Sequence, residues 1–299
     1  MWQAFATLAL VATALQNVAD KWAIVSDRKI DPAVATFWRN ALALVFVVIV
    51  GLSGILGPLT WYFDPFIIAF ALLLVGSAFF YTYMLKHVEV TGIEMDNYLA
   101  PLVFLVVDVM FVEATLNAGQ IAGVILLALG GFLLAVDART RHLKREFSPQ
   151  VIGIIVFWVF YGGVQYYLFK YLNTEIGLSS VSFMASAYVI AVSVMLLIVT
   201  LRGKFRALFQ SASTRYLPPV ALSKAFDTAA TLLTLTALTY ASVSQVSAIG
   251  ALAPLFLLVI AVFVQKETRF NIRERVDKAN ILGKSIAVLL LALGIYLVS

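Results

Sequence analysis

Ten long apolar stretches constrain this chain more than any other feature. They run roughly over 3–25, 33–56, 65–85, 92–112, 119–137, 150–171, 179–201, 218–240, 244–265 and 280–298. Each is close to the ~20 residues that an α-helix needs to cross a bilayer. Lipid offers no hydrogen-bond partner to a backbone, so a spanning chain must be a helix or a closed barrel. These stretches are continuous and do not alternate in pieces of about ten residues, which argues against a large barrel. Charged residues make up 12% of the chain and hydrophobic ones 62%, against about 25% charged in an ordinary soluble domain. A soluble globular protein is thereby excluded, and so is a disordered one, because this chain has ample apolar surface to bury. The expected fold class is an all-α integral membrane protein with ten transmembrane helices.

The first stretch has no basic leader and is interrupted by polar residues, so it reads as a retained span and not as a signal peptide. The connections are short, the longest charged ones being Asp137–Glu146 and Lys266–Lys278. None has room for a soluble domain. There is no cysteine, and the only histidines are His87 and His142. Thiolate chemistry is excluded and histidine-based metal or acid–base sites are poorly supplied, so no metal or cofactor is expected.

Basic residues fix the expected orientation. The odd-numbered connections hold Arg28 and Lys29; Lys86; Arg139, Arg141, Lys144 and Arg145; Arg202, Lys204, Arg206 and Arg215; and Lys266, Arg269, Arg273, Arg275 and Lys278. That is sixteen of the 21 basic residues, against Lys170 alone in the even connections. Cytoplasmic loops are enriched in Lys and Arg, so the odd connections are expected in the cytoplasm and both termini outside the inner or plasma membrane. The net charge of +5 therefore reports topology and does not imply nucleic acid as a partner.

The two halves repeat one another. Gln16 and Lys21 answer Gln165 and Lys170. Tyr98-Leu-Ala-Pro101 answers Ala251-Leu-Ala-Pro254, followed by Glu113 and Glu267 respectively. Leu126-Leu-Ala-Leu-Gly130 answers Leu290-Leu-Ala-Leu-Gly294. The matches keep their order while the offset grows from 149 through 153 to 164. The expected repeats are 1–137 and 150–299. Five spans is an odd number, so the second repeat enters the membrane from the opposite side. Such inverted five-helix repeats belong to alternating-access transporters, with the site near the midplane.

The same residues carry a family resemblance. Asn17-Val-Ala-Asp-Lys21, Asp31-Pro32 and Phe37-Trp-Arg39-Asn-Ala-Leu-Ala43 resemble the opening of EamA-type transporters of the drug/metabolite transporter superfamily. So do Tyr98-Leu-Ala-Pro101 with Glu113, the Gly123–Gly131 span, and Ala251-Leu-Ala-Pro254 with Glu267. The resemblance implies a carrier of small metabolites, often an exporter. The chain departs from the family in its expected extracytoplasmic termini and in carrying Glu94 and Asp96 in the fourth span.

Charges inside a span cost about 2.5–3.5 kcal/mol each on insertion scales, so they are functional candidates by default. At about 100° per residue, Glu94, Asn97, Pro101 and Asp108 fall within about 60° of one another, and Asp96 points away. Thr13, Gln16, Asn17 and Asp20 form a second stripe, with Lys21 at its margin. The second span adds Arg39 and Asn40, and the sixth adds Trp158, Tyr161 and Gln165. Lys224 and Asp227 are three apart and able to pair. The candidate substrate-binding residues are Gln16, Asn17, Asp20, Arg39, Asn97, Trp158, Tyr161 and Gln165. Glu94 is the first candidate for proton coupling, with Asp20 and Asp108 next.

The expected function is secondary transport of a small polar or zwitterionic metabolite such as an amino acid, by export or exchange. No G-x-x-x-x-G-K-[ST] motif suggests a nucleotide motor. The partners are then the substrate and the bilayer, with the chain a monomer or homodimer. An intramembrane lipid-modifying enzyme is the alternative, but no nucleophile–base or metal arrangement is visible for it. A non-transporting membrane partner would not account for polar stripes on three spans.

Overall fold

The computed structural model describes residues 1–26, 31–53, 63–87, 96–110, 116–135, 149–211, 216–253, 256 and 278–298. All regular structure among them is helical. The helices are α1 (Trp2–Ser26), α2 (Pro32–Ala41), α3 (Leu44–Leu52), α4 (Pro65–His87), α5 (Asp96–Met110), α6 (Ala118–Ala135), α7 (Pro149–Ile176), α8 (Ser180–Leu201), α9 (Phe205–Ser211), α10 (Leu217–Leu238), α11 (Val243–Gly250) and α12 (Lys278–Val298). They fall on the apolar stretches expected from the sequence. The exception is α9, a short helix in the connection that follows α8.

Local chemistry explains several ends. Asp31 caps α2 by accepting the Ala33 N–H at 2.9 Å, and Pro32 supplies the first helical residue, a position where its missing N–H costs nothing. Ser179 caps α8 through the Ser182 N–H. The end of α8 turns at Gly203, whose φ of 65° is left-handed and favours glycine. In the last turn of α2 the Asn40 amide donates to the Thr36 carbonyl at 2.9 Å, a side-chain bond that competes with the helical ladder. The stretch 33–52 is otherwise nearly continuous, with mean hydropathy 2.0. It and Ser180–Leu201, at 2.4, are the two described helical stretches long and apolar enough to cross a bilayer by themselves. Shorter apolar helices cover Pro65–Phe80, Ala100–Met110, Ala118–Leu133 and Ile286–Val298.

The chain forms two compact units, interleaved in sequence. The first contains Met1–Ala14, Glu89–Gly163 and Thr236–Ser299, and the second contains Leu15–Val88 and Val164–Leu235.

In the first unit α12 packs along α6, α11 packs on α5, and α5 packs on α6. Glycine lets α6 and α12 approach closely. A Cβ added at Gly130 would stand 2.9 Å from Leu291 Cγ and 3.1 Å from the Ala287 carbonyl oxygen. One at Gly294 would stand 2.7 Å from Leu127 Cγ and 3.0 Å from the Gly123 carbonyl oxygen. With the 164-residue offset of the repeat, Gly130, Leu127 and Gly123 correspond to Gly294, Leu291 and Ala287. The two contacts are thus the same contact made in both directions. Gly123 meets Gly294 and Val298 while Gly130 meets Ala287 and Leu291, so the helices run antiparallel.

In the second unit α8 is central, packing on α4, α2 and α3. Residues Ser182–Tyr188 are all buried. Small residues at Ala185, Ser186, Ala187 and Ala191 let its neighbours come close, while Phe183 packs against Phe70 and Phe169 at ring separations of 4.5 and 5.3 Å. The opposite face of α3 exposes Val45, Val48, Ile49 and Leu52, a run of apolar surface suited to lipid and not to water.

Candidate functional site

Buried polar side chains are unevenly shared between the two units. Of sixteen among the described residues, twelve lie in the second unit. Because unpaired buried polar groups are costly, that concentration marks where the fold has accommodated polar chemistry.

Two ion pairs, each with one buried partner, form the centre of it. Arg39 on α2 lies 3.1 Å from Asp20 on α1, the two side chains 12% and 7% exposed. The second Asp20 oxygen accepts the Ser223 hydroxyl from α10 at 2.5 Å. Both oxygens of Asp20 are therefore engaged. The next residue of α10, Lys224, donates to Asp227 one turn further on at 2.5 Å. The Lys224 ammonium also lies 4.3 Å from the centre of the Tyr188 ring on α8, a cation–π position. The Tyr188 hydroxyl is 3.5 Å from that of Thr228. Two acids and two bases thus sit among helices α1, α2, α8 and α10, with no net charge. The pairing of Lys224 with Asp227 expected from their spacing is present. Gln16, Asn17 and Gln165 are buried in the same unit.

Other candidates fall elsewhere. Asp108 is buried in the first unit, where its carboxylate accepts the Ser244 N–H at 2.8 Å. That N–H is in the first turn of α11, whose capping box joins Ser242 and Gln245. The carboxylate satisfies one more donor at the positive end of the helix. Tyr161 is buried in the first unit and stacks on Phe157. Asn97 and Trp158 lie on α5 and α7 with side chains outside the described residues, and Glu94 lies outside them altogether. Pro101 stands inside α5, with no N–H for the carbonyl four residues back.

Three participants carried no mark in the sequence reading: Ser223, Tyr188 and Thr228. Ser223 precedes Lys224, but nothing local signals that its hydroxyl meets a carboxylate some 203 residues earlier. Lys204, read in the sequence only as a topology-setting charge, pairs with Asp31 where the α8–α9 turn meets the start of α2. Burial by itself raises the Asp31 pKa. The hydrogen bond and charge of Lys204, with the N–H groups of Ala33 and Val34, outweigh it and hold the carboxyl below its ordinary 3.8. Close by, the Trp38 indole donates to the Leu208 carbonyl at 3.2 Å and ties α9 to α2.

Residues 1–136 match the family model of the EamA-like transporter family. Over that segment the chain is similar to EamA-type transporters. The match covers α1 through α6, including Asp20 and Arg39, and the EamA family consists of multi-pass membrane transporters. No curated protein matches the sequence. Among solved structures, one titled only "Crystal structure of protein" is similar in fold, with a TM-score of 0.63 at 14% identity, over 97% of this chain and 98% of that one. At that identity the likeness concerns fold alone.

Proposed function

We propose that the protein is a secondary transporter of a small polar or zwitterionic metabolite, such as an amino acid, working by alternating access as an exporter or exchanger. The observation that carries this reading is the second unit's interior. Buried Asp20 and Lys224, their partly exposed partners Arg39 and Asp227, and the buried amides of Gln16, Asn17 and Gln165 gather in one unit of a chain whose first 136 residues match a transporter family. Ionisable groups inside a membrane domain are costly, and they mark substrate or ion pathways by default. Gln16, Asn17, Asp20, Arg39 and Gln165 of the second unit are the substrate-binding group in this reading; Asn97, Trp158 and Tyr161 are separate candidates on the first unit's part of the chain.

Ten spans in two inverted repeats, 1–137 and 150–299, form the architecture of the proposal. Its support is the reciprocal contact of α6 with α12. Two antiparallel helices exchanging equivalent contacts are related by a local two-fold axis across their length, as inverted repeats require.

Proton coupling is assigned to Glu94. Asp20 has both oxygens engaged, and Asp108 is bonded to the start of α11. Each is therefore held in place by a structural partner. In proteoliposomes, labelled amino acids should accumulate above the level of empty vesicles, without chemical conversion. Glu94→Gln should keep exchange and lose accumulation driven by a pH gradient. Conversion of the solute without flux would replace this reading with the lipid-modifying enzyme. A C-terminal reporter active only in the cytoplasm should stay silent, as the basic-residue asymmetry requires. A bright signal would reverse the orientation and leave the transport assignment intact.

A further inference from the structure

We propose that Asp227 receives the ammonium group of the transported molecule, which makes this a site for primary amines, whether cationic or zwitterionic. The inference rests on the transporter reading and names the substrate class for it.

The four charges of these two ion pairs are not equivalent. Arg39 and Asp20 are closed in, and Asp20 has spent both oxygens on Arg39 and Ser223. The Lys224 side chain is only 4% exposed, seated over the Tyr188 ring. Asp227 is 24% exposed. Its Oδ2 holds Lys224, and its backbone carbonyl accepts the Thr231 hydroxyl at 2.8 Å. Its Oδ1 has no hydrogen-bond partner among the described residues. A carboxylate has two oxygens and about four acceptor positions, so one oxygen can keep Lys224 while the other takes a second ammonium.

The arrangement selects the sign of the ligand. Lys224 is shielded from approach by Asp227 on one side and Tyr188 on the other, so an anion could reach it only by breaking the 2.5 Å bond to Asp227. A cation needs to break nothing. The groups that bear on Asp227 by charge are Lys224 on its own helix and Arg39 on α2. Arg39 is itself offset by Asp20. A charge-assisted hydrogen bond made at contact outweighs repulsion from the more distant Lys224 and Arg39. Lys224 then serves as a positioning residue that fixes the carboxylate with one oxygen outward.

Thermal unfolding of the purified full-length protein tests this with two matched probe series. One contains primary alkylammonium ions from ethyl to hexyl, and the other contains the corresponding alkanoates. A ligand that binds only the folded state raises the unfolding temperature in step with its concentration. At least one alkylammonium ion should produce such a rise, and the alkanoates should not. The rise should persist at a reduced level in Lys224→Met, whose carboxylate is no longer held in place, and vanish in Asp227→Asn. Asp227→Asn leaves Lys224 buried without its carboxylate, a change that can block folding. The double variant Asp227→Asn/Lys224→Met removes both charges, and it should fold and lose the rise. Stabilisation by alkanoates, by neither series, or by ammonium in the neutral double variant would overturn the assignment. Flux separates this from the broader reading. Ammonium stabilisation without flux would sink the transporter and leave the amine site. Flux unaltered in Asp227→Asn would sink the amine site and leave the transporter.

Discussion

Arg39 reaches across from α2 to within 3.1 Å of Asp20 on α1, and both side chains are nearly closed to solvent. Removing one partner of a buried pair strands the other charge, at a cost of about 3–5 kcal/mol, whereas replacing both with neutral groups is often close to neutral. Arg39→Met and Asp20→Asn should each lower the unfolding temperature sharply. The double variant should recover most of the loss. If the single losses instead add, the two residues do not form a stabilising unit. Substrate flux in the stable double variant then reports whether the pair also contacts the transported molecule.

Close packing of α6 against α12 makes a second test. A Cβ at Gly123 would stand 2.8 Å from the Val298 backbone nitrogen and 2.9 Å from the Gly294 carbonyl oxygen, and backbone atoms there cannot swing aside. Gly123→Ala and Gly294→Ala should each cost about 1–3 kcal/mol through overpacking. Gly76→Ala should not destabilise, because nothing lies within 4 Å of its added Cβ. Equal unfolding temperatures for Gly123→Ala and Gly76→Ala would contradict the observed separation of the two helices.

Asp108 separates a structural role from a transport role. Asp108→Ala leaves the Ser244 N–H without its carboxylate in a buried position, which should cost about 1–3 kcal/mol. Asp108→Asn keeps an acceptor oxygen and loses only the charge facing the start of α11, so its cost should be smaller. Stable Asp108→Asn protein that transports normally across pH would establish the capping role. Loss of pH dependence with stability intact would return Asp108 to the coupling candidates.

The Asp31–Lys204 pair gives a pH prediction with a defined sign. The Asp31 pKa is lowered below 3.8 in the folded protein, so its ionised form is favoured by folding. The contribution is complete above that ordinary value. It fades as pH falls from 3.8 through the lower folded value and is absent below it. Wild type and Asp31→Asn should therefore differ in unfolding temperature at neutral pH and converge in acid. The partial exposure of both side chains keeps the effect small and sensitive to salt. A difference that persists unchanged at the acid end would point to helix capping in place of the ion pair.

Much of the architecture was legible because its cause is local. A bilayer-length apolar run forces a helix wherever it occurs, and the described helices accordingly fall on the runs read from the sequence. Asp31-Pro32 and Ser242 with Gln245 mark helix starts through bonds that span only two or three residues. The spacing of Lys224 and Asp227 announces their pairing for the same reason. The EamA resemblance was readable in Asn17–Lys21 and Phe37–Ala43, inside the segment that matches the family.

Tertiary structure alone decided what the buried charges do. Helical phase placed Asp20 on a polar stripe and left it a candidate for proton movement. Packing of α1 against α2 and α10 gave it Arg39 and Ser223 as partners. Asp108 shared a face with Glu94 and Asn97 in sequence, yet its carboxylate was committed by a helix start 136 residues away. Asp227 looked like half of a neutral pair until its unequal exposure relative to Lys224 was visible. A sequence specifies which side chains are too polar to face lipid, because that cost belongs to the residue itself. Which oxygen finds which donor depends on how separate helices meet, and that relation exists only in the folded chain.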